Sequence, residues 1–84
     1  MEELIGKITH YFGKISVGII EVTAGELKVG DTIHIKGKNS DFTQKVESMQ
    51  LEHKPIDKAV AGQAIGLKVT NPVHENDQVF KVTE

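Results

Sequence analysis

Apolar side chains recur at alternate positions in several short segments, a spacing typical of β-strands with one buried face. Turn-forming residues separate these segments, and no stretch shows the spacing of an amphipathic helix of about ten residues. The pattern predicts an all-β fold, a closed antiparallel β-barrel of six strands. The predicted strands are Leu4–Thr9, Ile15–Val22, Thr32–Lys36, Phe42–Glu52, Ile65–Val69 and Gln78–Val82.

One local pattern occurs three times. Gly30–Asp31, Gly62–Gln63 and Asn76–Asp77 each place a residue that tolerates positive φ before a polar residue, just ahead of an apolar strand position. Such pairs redirect the chain, so we expect them to form the corners of the barrel. Gly6, in the middle of the first strand, predicts a bend or a close backbone approach.

The segment from Phe42 to Glu52 changes the face on which its apolar residues lie. Phe42 and Val46 share one register, and Met49 and Leu51 share the other. One extra residue near Glu47–Ser48 would reconcile the two halves, which predicts a β-bulge. A helix is the alternative, because Val46, Met49 and Gln50 are spaced three and four apart.

The remaining segments are predicted to connect the strands. Proline at position 55 disfavours helix before it, and the aromatic residues of the first connection stand beside a glycine. The predicted connections are a loop at His10–Lys14, a hairpin turn at Gly37–Asp41, a linker at His53–Asp57 and a single turn at Lys58–Ala61.

Length and composition narrow the class of protein. Eighty-four residues without cysteine are expected to form one domain, residues 1–84, in a reducing compartment. The acidic N-terminus predicts no signal peptide, and no apolar run approaches the roughly 20 residues of a membrane span. We therefore expect a cytoplasmic protein. A net charge of −2, with ten lysines and no arginine, disfavours broad nucleic-acid binding, although a local lysine cluster could contact a few phosphates.

Three segments resemble domain II of the translation-factor GTPases, such as elongation factor Tu. Leu27–Gly37 is similar to that domain's signature turn and strand, and Lys45–Gln50 and Ala61–Leu67 are similar to its later strands. The resemblance extends from about Gly6 to Val82 and implies a closed six-stranded antiparallel barrel. The run Thr9–Val17 looks closer to a stand-alone barrel, or to the C-terminal barrel of collagenase-like bacterial peptidases.

The phosphate-binding motif of the GTPases is missing from this sequence. Gly13–Lys14–Ile15 lacks both the preceding glycine and the hydroxyl residue of G-x-x-x-x-G-K-[ST]. We therefore expect neither nucleotide binding nor GTP hydrolysis, and no cofactor.

Metal binding and catalysis are also not expected. The four histidines have no ligand spacing, and the serines and aspartates lie in turns or lack a nucleophile-elbow context, so we expect no metal site and no enzyme activity. His34 should point away from the core, because Ile33 and Ile35 point into it. The histidines are His10, His34, His53 and His74.

Two adjacent aromatic residues form the candidate binding site. Tyr11 and Phe12 could stack on bases or enter a partner's pocket, with Lys14, Lys36 and Lys38 supplying positive charge. Alternatively one ring closes the end of the barrel, because strand geometry would send the two rings to opposite faces.

These observations favour a non-enzymatic binding module, and three roles stay open. The first is a stand-alone barrel that contacts RNA or the translation machinery. The second is a protein-interaction module that docks onto a separately encoded enzyme such as a collagenase-like peptidase. The third is a barrel that serves only oligomer assembly.

Overall fold

The protein is all-β in its computed structural model, which describes residues 2–38 and 40–83. The described residues form ten short strands and no helix, because turn residues interrupt every alternating segment. The strands are β1 (Glu2–Phe12), β2 (Val17–Val22), β3 (Glu26–Lys28), β4 (Thr32–Lys36), β5 (Asp41–Lys45), β6 (Met49–Leu51), β7 (Lys54–Ile56), β8 (Lys58–Val60), β9 (Ala64–Lys68) and β10 (Gln78–Val82).

Eight strands form one antiparallel sheet in the order β5-β4-β10-β1-β2-β9-β6-β7, and β3 pairs with β8. The expectation of a closed six-stranded barrel is wrong in two respects. There are more strands, and within the described residues no ladder joins the terminal strands β5 and β7. The chain curls, but backbone pairing does not complete the ring.

A side chain links β5 to β9, two strands of the sheet that share no ladder within the described residues. The Gln44 amide nitrogen on β5 donates to the Lys68 carbonyl oxygen at 2.9 Å, and the Thr70 backbone N–H donates to the Gln44 amide oxygen at 2.9 Å. Gln44 thus links β5 to the end of β9.

The core lies on the inner face of the curled sheet and consists of branched aliphatic side chains. Ile33 and Ile35 of β4, and Ile65 and Leu67 of β9, are fully buried, as the alternating pattern predicted. The other buried apolar residues are Ile5, Ile8, Ile20, Val22, Leu27, Val46, Met49, Ala59, Val69, Val73 and Val79.

The three predicted corners adopt left-handed backbone. The φ angles are 100° at Gly30, 96° at Gly62 and 74° at Asn76, which confirms the repeated turn. Gly6 is also confirmed as a close approach, because a Cβ there would overlap the Glu21 carbonyl oxygen.

The first two strands differ from their predicted bounds. The loop expected at His10–Lys14 is wrong, because β1 continues to Phe12, which pairs with Val17 of β2. The second strand begins at Val17 rather than Ile15. Ile15 belongs to the turn, where its N–H donates to the Phe12 carbonyl at 3.3 Å and Ser16 has a φ of 55°.

The predicted strand Phe42–Glu52 is two strands. β5 ends at Lys45 and β6 begins at Met49, so both the bulge near Glu47–Ser48 and the alternative helix are wrong. Val46 stays bonded to the corner before β4, because its N–H donates to the Asp31 carbonyl and its carbonyl accepts from the Gly30 N–H, each at 2.8 Å. The pairing that joins β5 to β4 therefore extends to Val46, whereas β6 pairs with β9.

Three strands fall in segments that the pattern assigned to turns or linkers. β7 lies inside the predicted linker, β8 replaces the predicted single turn, and β3 precedes the Gly30 corner. β3 and β8 form because Leu27 faces Ala59 across the pair and both are buried. A three-residue strand carries too few positions to show an alternating pattern.

Candidate binding surface

Tyr11 and Phe12 lie on opposite faces of β1. The Tyr11 ring is half-buried and packs against the core, whereas Phe12 is 45% exposed on the outer face. One ring therefore packs at the core and only the other is presented to a partner. The His10 ring lies edge-on to Phe12, with ring centroids 4.5 Å apart.

The structure does not bring the predicted lysines to the aromatic residues. β10 lies between β4 and β1. Its residue Gln78 pairs with Lys36 on β4 and with Lys7 on β1. Phe12 is five positions beyond Lys7 on β1. Strand geometry therefore separates Phe12 from Lys36 by about 16 Å along the strands and about 10 Å across them. Lys38 follows Lys36 in the turn to β5. The five predicted site residues form two groups, one at each hairpin.

A groove runs over the outer face of β9. Ala64 and Gly66 form its floor, and neither fills the space above the sheet. Val17 and Ile19 of β2 form one wall of the groove. Both are half-buried, because the small residues Ala64 and Gly66 beside them cover only part of their side chains. The space enclosed is about 340 Å³. We call this feature the β9 groove.

Exposed apolar side chains stand at one end of the β9 groove. Phe12 and Ile15 line it and are 45% and 61% exposed. Gln50, Glu52 and His53 line the opposite wall, on β6 and its turn to β7. The groove is thus apolar on one side and polar on the other.

The β9 groove continues toward the gap between β5 and β9. A second hollow of about 130 Å³ shares Val17, Gln50 and Gly66 with the first. Lys68 lines this second hollow and also a third, of about 290 Å³. The third hollow is bounded by Lys45, Glu47 and Thr70 and lies beside Gln44.

Three residues at the rim adopt left-handed backbone although they are not glycine. The φ angles are 55° at Ser16, 52° at Glu52 and 66° at His53. Glu52 and His53 are the two central residues of the β6–β7 hairpin, since Leu51 pairs with Lys54. Two consecutive positive φ values define a type I′ turn, which favours Asn-Gly rather than Glu-His. Strain of this kind often accompanies binding sites.

His34 lies on the face opposite Ile33 and Ile35, as predicted, but it is largely covered. Its side chain is 16% exposed, because Glu2 Oε2 lies 2.8 Å from Nδ1 and an Asp41 carboxylate oxygen contacts Nε2. Asp41, and then Glu2, raise the pKa of His34. The same contact lowers the pKa of Asp41.

A serine, a histidine and an aspartate meet at Ser40, His74 and Asp77, a grouping that sequence reasoning missed. Ser40 Oγ lies 3.4 Å from His74 Nδ1, and Asp77 Oδ2 lies 3.9 Å from the same nitrogen. A catalytic relay needs the serine and the aspartate on different ring nitrogens, so this arrangement cannot pass a proton along the histidine. Asp77 Oδ2 instead accepts the His74 backbone N–H at 2.9 Å and holds the turn.

Within residues 2–38 and 40–83, no three His, Cys, Asp or Glu side chains are grouped to hold a metal ion. The same residues contain no helix of the length and hydropathy that a membrane span requires.

The fold and the repeated turn belong to a known class of domain. The family model for elongation factor Tu domain 2 matches residues 13–79, and the chain therefore belongs to this family. The resemblance inferred from the sequence is confirmed.

Relatives and solved structures extend this finding. The chain is 38% identical over 95% of its length to an uncharacterized protease of Methanocaldococcus jannaschii, and it covers 20% of that protein. It is 35% identical over 92% of its length to a collagenase of Porphyromonas gingivalis, of which it covers 22%. The chain thus spans about a fifth of the curated relatives it matches.

A solved structure shares the fold. The C-terminal domain of a Geobacillus thermoleovorans protein assigned to the U32 peptidases superposes with a TM-score of 0.89, at 21% identity. The match covers 96% of this chain and 93% of that domain.

The signal that could have revealed the β9 groove is present in the sequence. Ala64 and Gly66 alternate with the core residues Ile65 and Leu67, so a strand with two small residues on its outer face was visible. That β2 places Val17 and Ile19 beside them could be known only from the pairing of β2 with β9.

Proposed function

We propose that the chain is a non-catalytic binding module that docks onto a protein partner through the β9 groove. The observation that carries this proposal is the apolar end of the groove, where Phe12 and Ile15 are 45% and 61% exposed beside Val17 and Ile19. Apolar side chains clustered on an outer sheet face are typical of interaction sites. The module is taken to act as one domain in the cytoplasm.

The class of partner follows from the relatives and from the charge. Curated relatives named as a protease and a collagenase contain the matching segment as about a fifth of their length. A peptidase polypeptide is therefore the partner that we propose. The net charge of −2 and the lack of arginine favour a protein surface over a phosphate backbone.

The experiment uses one of the curated relatives as the partner. The Porphyromonas gingivalis collagenase is produced without its matching segment, and its binding to this chain is measured by calorimetry at low and high salt. We expect binding that persists at high salt, because apolar contacts are not screened by ions. No binding at either salt concentration would contradict the proposal.

A matched pair of variants locates the contact. Phe12→Ser with Ile15→Ser removes the exposed apolar end of the groove and should weaken binding by about tenfold or more. Val29→Ser with Val60→Ser removes two valines that are each 42% exposed elsewhere, and should leave binding unchanged. Equal losses in the two variants would place the contact outside the groove.

RNA contact is the second candidate, because Phe12, its neighbour His10 and Lys14 lie at one hairpin end. A stacked base with a nearby ammonium group is a common mode of single-strand binding. An NMR titration with tRNA at low salt would shift the amide signals of this hairpin, and moderate salt would abolish the shifts. Lys36 and Lys38, on the other hairpin, would shift only if a longer RNA spanned both.

A further inference from the structure

The β9 groove has the length of a short extended peptide. Its three hollows follow the outer face of the chain from Ala64 to Thr70 and share Gly66 or Lys68 where they meet. Six residues of extended chain span about 20 Å, so the groove accommodates about six residues of a bound strand-like segment.

The chemistry changes along this length. Beside Gly66 the groove offers Ile19 to apolar side chains, and Val17, with Phe12 next to it on β1, extends this apolar wall to the level of Lys68. The middle offers the hydroxyl and amide of Ser48 and Gln50, which suit the backbone polar groups of a peptide.

The end of the groove beyond Gly66, from Lys68 to Thr70, is positively charged. Lys45 and Lys68 line it with one carboxylate, that of Glu47. Among the described residues neither lysine forms an ion pair, whereas Lys28, Lys58 and Lys81 each do. Two lysines facing a single glutamate complement an acidic group on a partner.

We propose that the β9 groove binds an extended peptide segment of about six residues, apolar where it crosses Gly66 and carrying a carboxylate at the Lys45–Lys68 end. This inference rests on the proposed function, since it specifies the part of a protein partner that the module recognises. The Glu52–His53 turn, with its left-handed backbone, forms part of the polar wall of the groove.

The test uses peptides as probes. A displayed library of random heptapeptides is selected on the immobilised chain, and enriched peptides are synthesised and titrated by NMR. We expect enriched sequences with an acidic residue at one end and apolar residues following it. We also expect amide shifts at Val17, Gly66 and Lys68.

Two variants and a control refine the test. Gly66→Val fills the floor of the groove, where a Cβ would lie 3.5 Å from Val17 Cγ1, an ordinary contact. Lys68→Glu reverses the charge at the basic end. Each should weaken peptide binding by about tenfold, a loss typical of a central contact. Lys7→Glu makes the same charge change at an exposed position of β1 and should have no effect.

Several outcomes would overturn the inference. These are no enrichment, enriched peptides without an acidic residue, and shifts confined to other faces. Two further outcomes are occupation of the groove by a second copy of the chain or by a short RNA in place of peptide. If the collagenase binds but Gly66→Val and Lys68→Glu do not weaken that binding, only this inference fails. If peptides bind as expected and the collagenase does not, the proposed peptidase partner fails and the groove assignment stands.

Discussion

The Gln44 side chain pairs with the backbone of Thr70 as a neighbouring strand would. Its amide oxygen accepts the Thr70 N–H at 2.9 Å, and its amide nitrogen reaches the Lys68 carbonyl at 2.9 Å. The Thr70 hydroxyl also donates to the same oxygen at 3.3 Å. Among the described residues, no backbone ladder joins β5 to β9. The buried Gln44 side chain links them instead, because it accepts from the Thr70 N–H and donates to the Lys68 carbonyl.

We expect Gln44→Leu to lower the free energy of unfolding by about 2 kcal/mol, because it leaves the Thr70 N–H and the Lys68 carbonyl without partners. Hydrogen exchange at Thr70 should accelerate as the gap opens. Urea unfolding and exchange measured by NMR check both effects. Gln78→Leu makes the same change at an exposed position of β10 and should be nearly neutral. Similar losses in the two variants would contradict the role of Gln44.

His34 should make stability depend on pH. Asp41 and Glu2 raise the pKa of His34 in the folded state above the unfolded value of about 6.5, so folding favours the protonated ring. The contribution of protonated His34 to the free energy of unfolding is complete below about pH 6.5. It is lost as the pH rises through the folded-state pKa of His34. The pKa of Asp41 is lowered in the folded state. The contribution of the Asp41 carboxylate to the free energy of unfolding is therefore present above about pH 3.9, and it is lost as the pH falls through the folded-state pKa of Asp41.

We therefore expect the urea midpoint of the native chain to fall as the pH rises from about 6.5 through the folded-state pKa of His34. His34→Asn should remove this dependence, whereas His53→Asn, at an exposed turn position that tolerates asparagine, should retain it. The same pH dependence in His34→Asn would assign the effect to other groups.

The turn between β6 and β7 can be relieved of strain. Glu52 and His53 have φ angles of 52° and 66°, which asparagine and glycine adopt at lower cost. We expect the double variant Glu52→Asn with His53→Gly to raise the free energy of unfolding by about 1 kcal/mol. Thermal and urea unfolding measure the change.

Asn76→Gly is the comparison, because asparagine already tolerates the φ of 74° at that position. Its effect should stay within about 0.5 kcal/mol. A loss of stability in the Glu52–His53 variant would show that these side chains stabilise the turn by more than its backbone strain costs.

The sequence predicted the inner face of the sheet because burial and alternation act on neighbouring residues. Ile33, Ile35, Ile65 and Leu67 are buried as expected. The Gln44 bridge between β5 and β9 could not be predicted, because its partners lie 24 and 26 positions along the chain. No local pattern records such a contact.

The candidate site was predicted only in part for the same reason. That Tyr11 and Phe12 face opposite ways follows from strand geometry alone. Lys36 and Lys38 lie away from Phe12 because β10 is inserted between β4 and β1 in the sheet. This position could not be read from the sequence, since β10 is the last strand of the chain. The floor of the β9 groove likewise depends on which strand lies beside Ala64 and Gly66.

Two glycines of the eight-stranded sheet should respond oppositely to alanine. A Cβ at Gly6 would overlap the Glu21 carbonyl oxygen and lie 3.3 Å from Ile20 Cγ2, so the backbones of β1 and β2 would have to separate. We expect Gly6→Ala to cost about 3 kcal/mol, toward the upper end of overpacking losses.

At Gly66 the nearest atom to a Cβ is Val17 Cγ1 at 3.5 Å, and φ lies outside the left-handed region. Gly66→Ala should therefore be neutral or stabilising by up to about 1 kcal/mol, because alanine loses less chain entropy on folding. Urea unfolding of both variants distinguishes these expectations. Equal destabilisation would mean that the space above Gly66 is not open, and the β9 groove would then lose its floor.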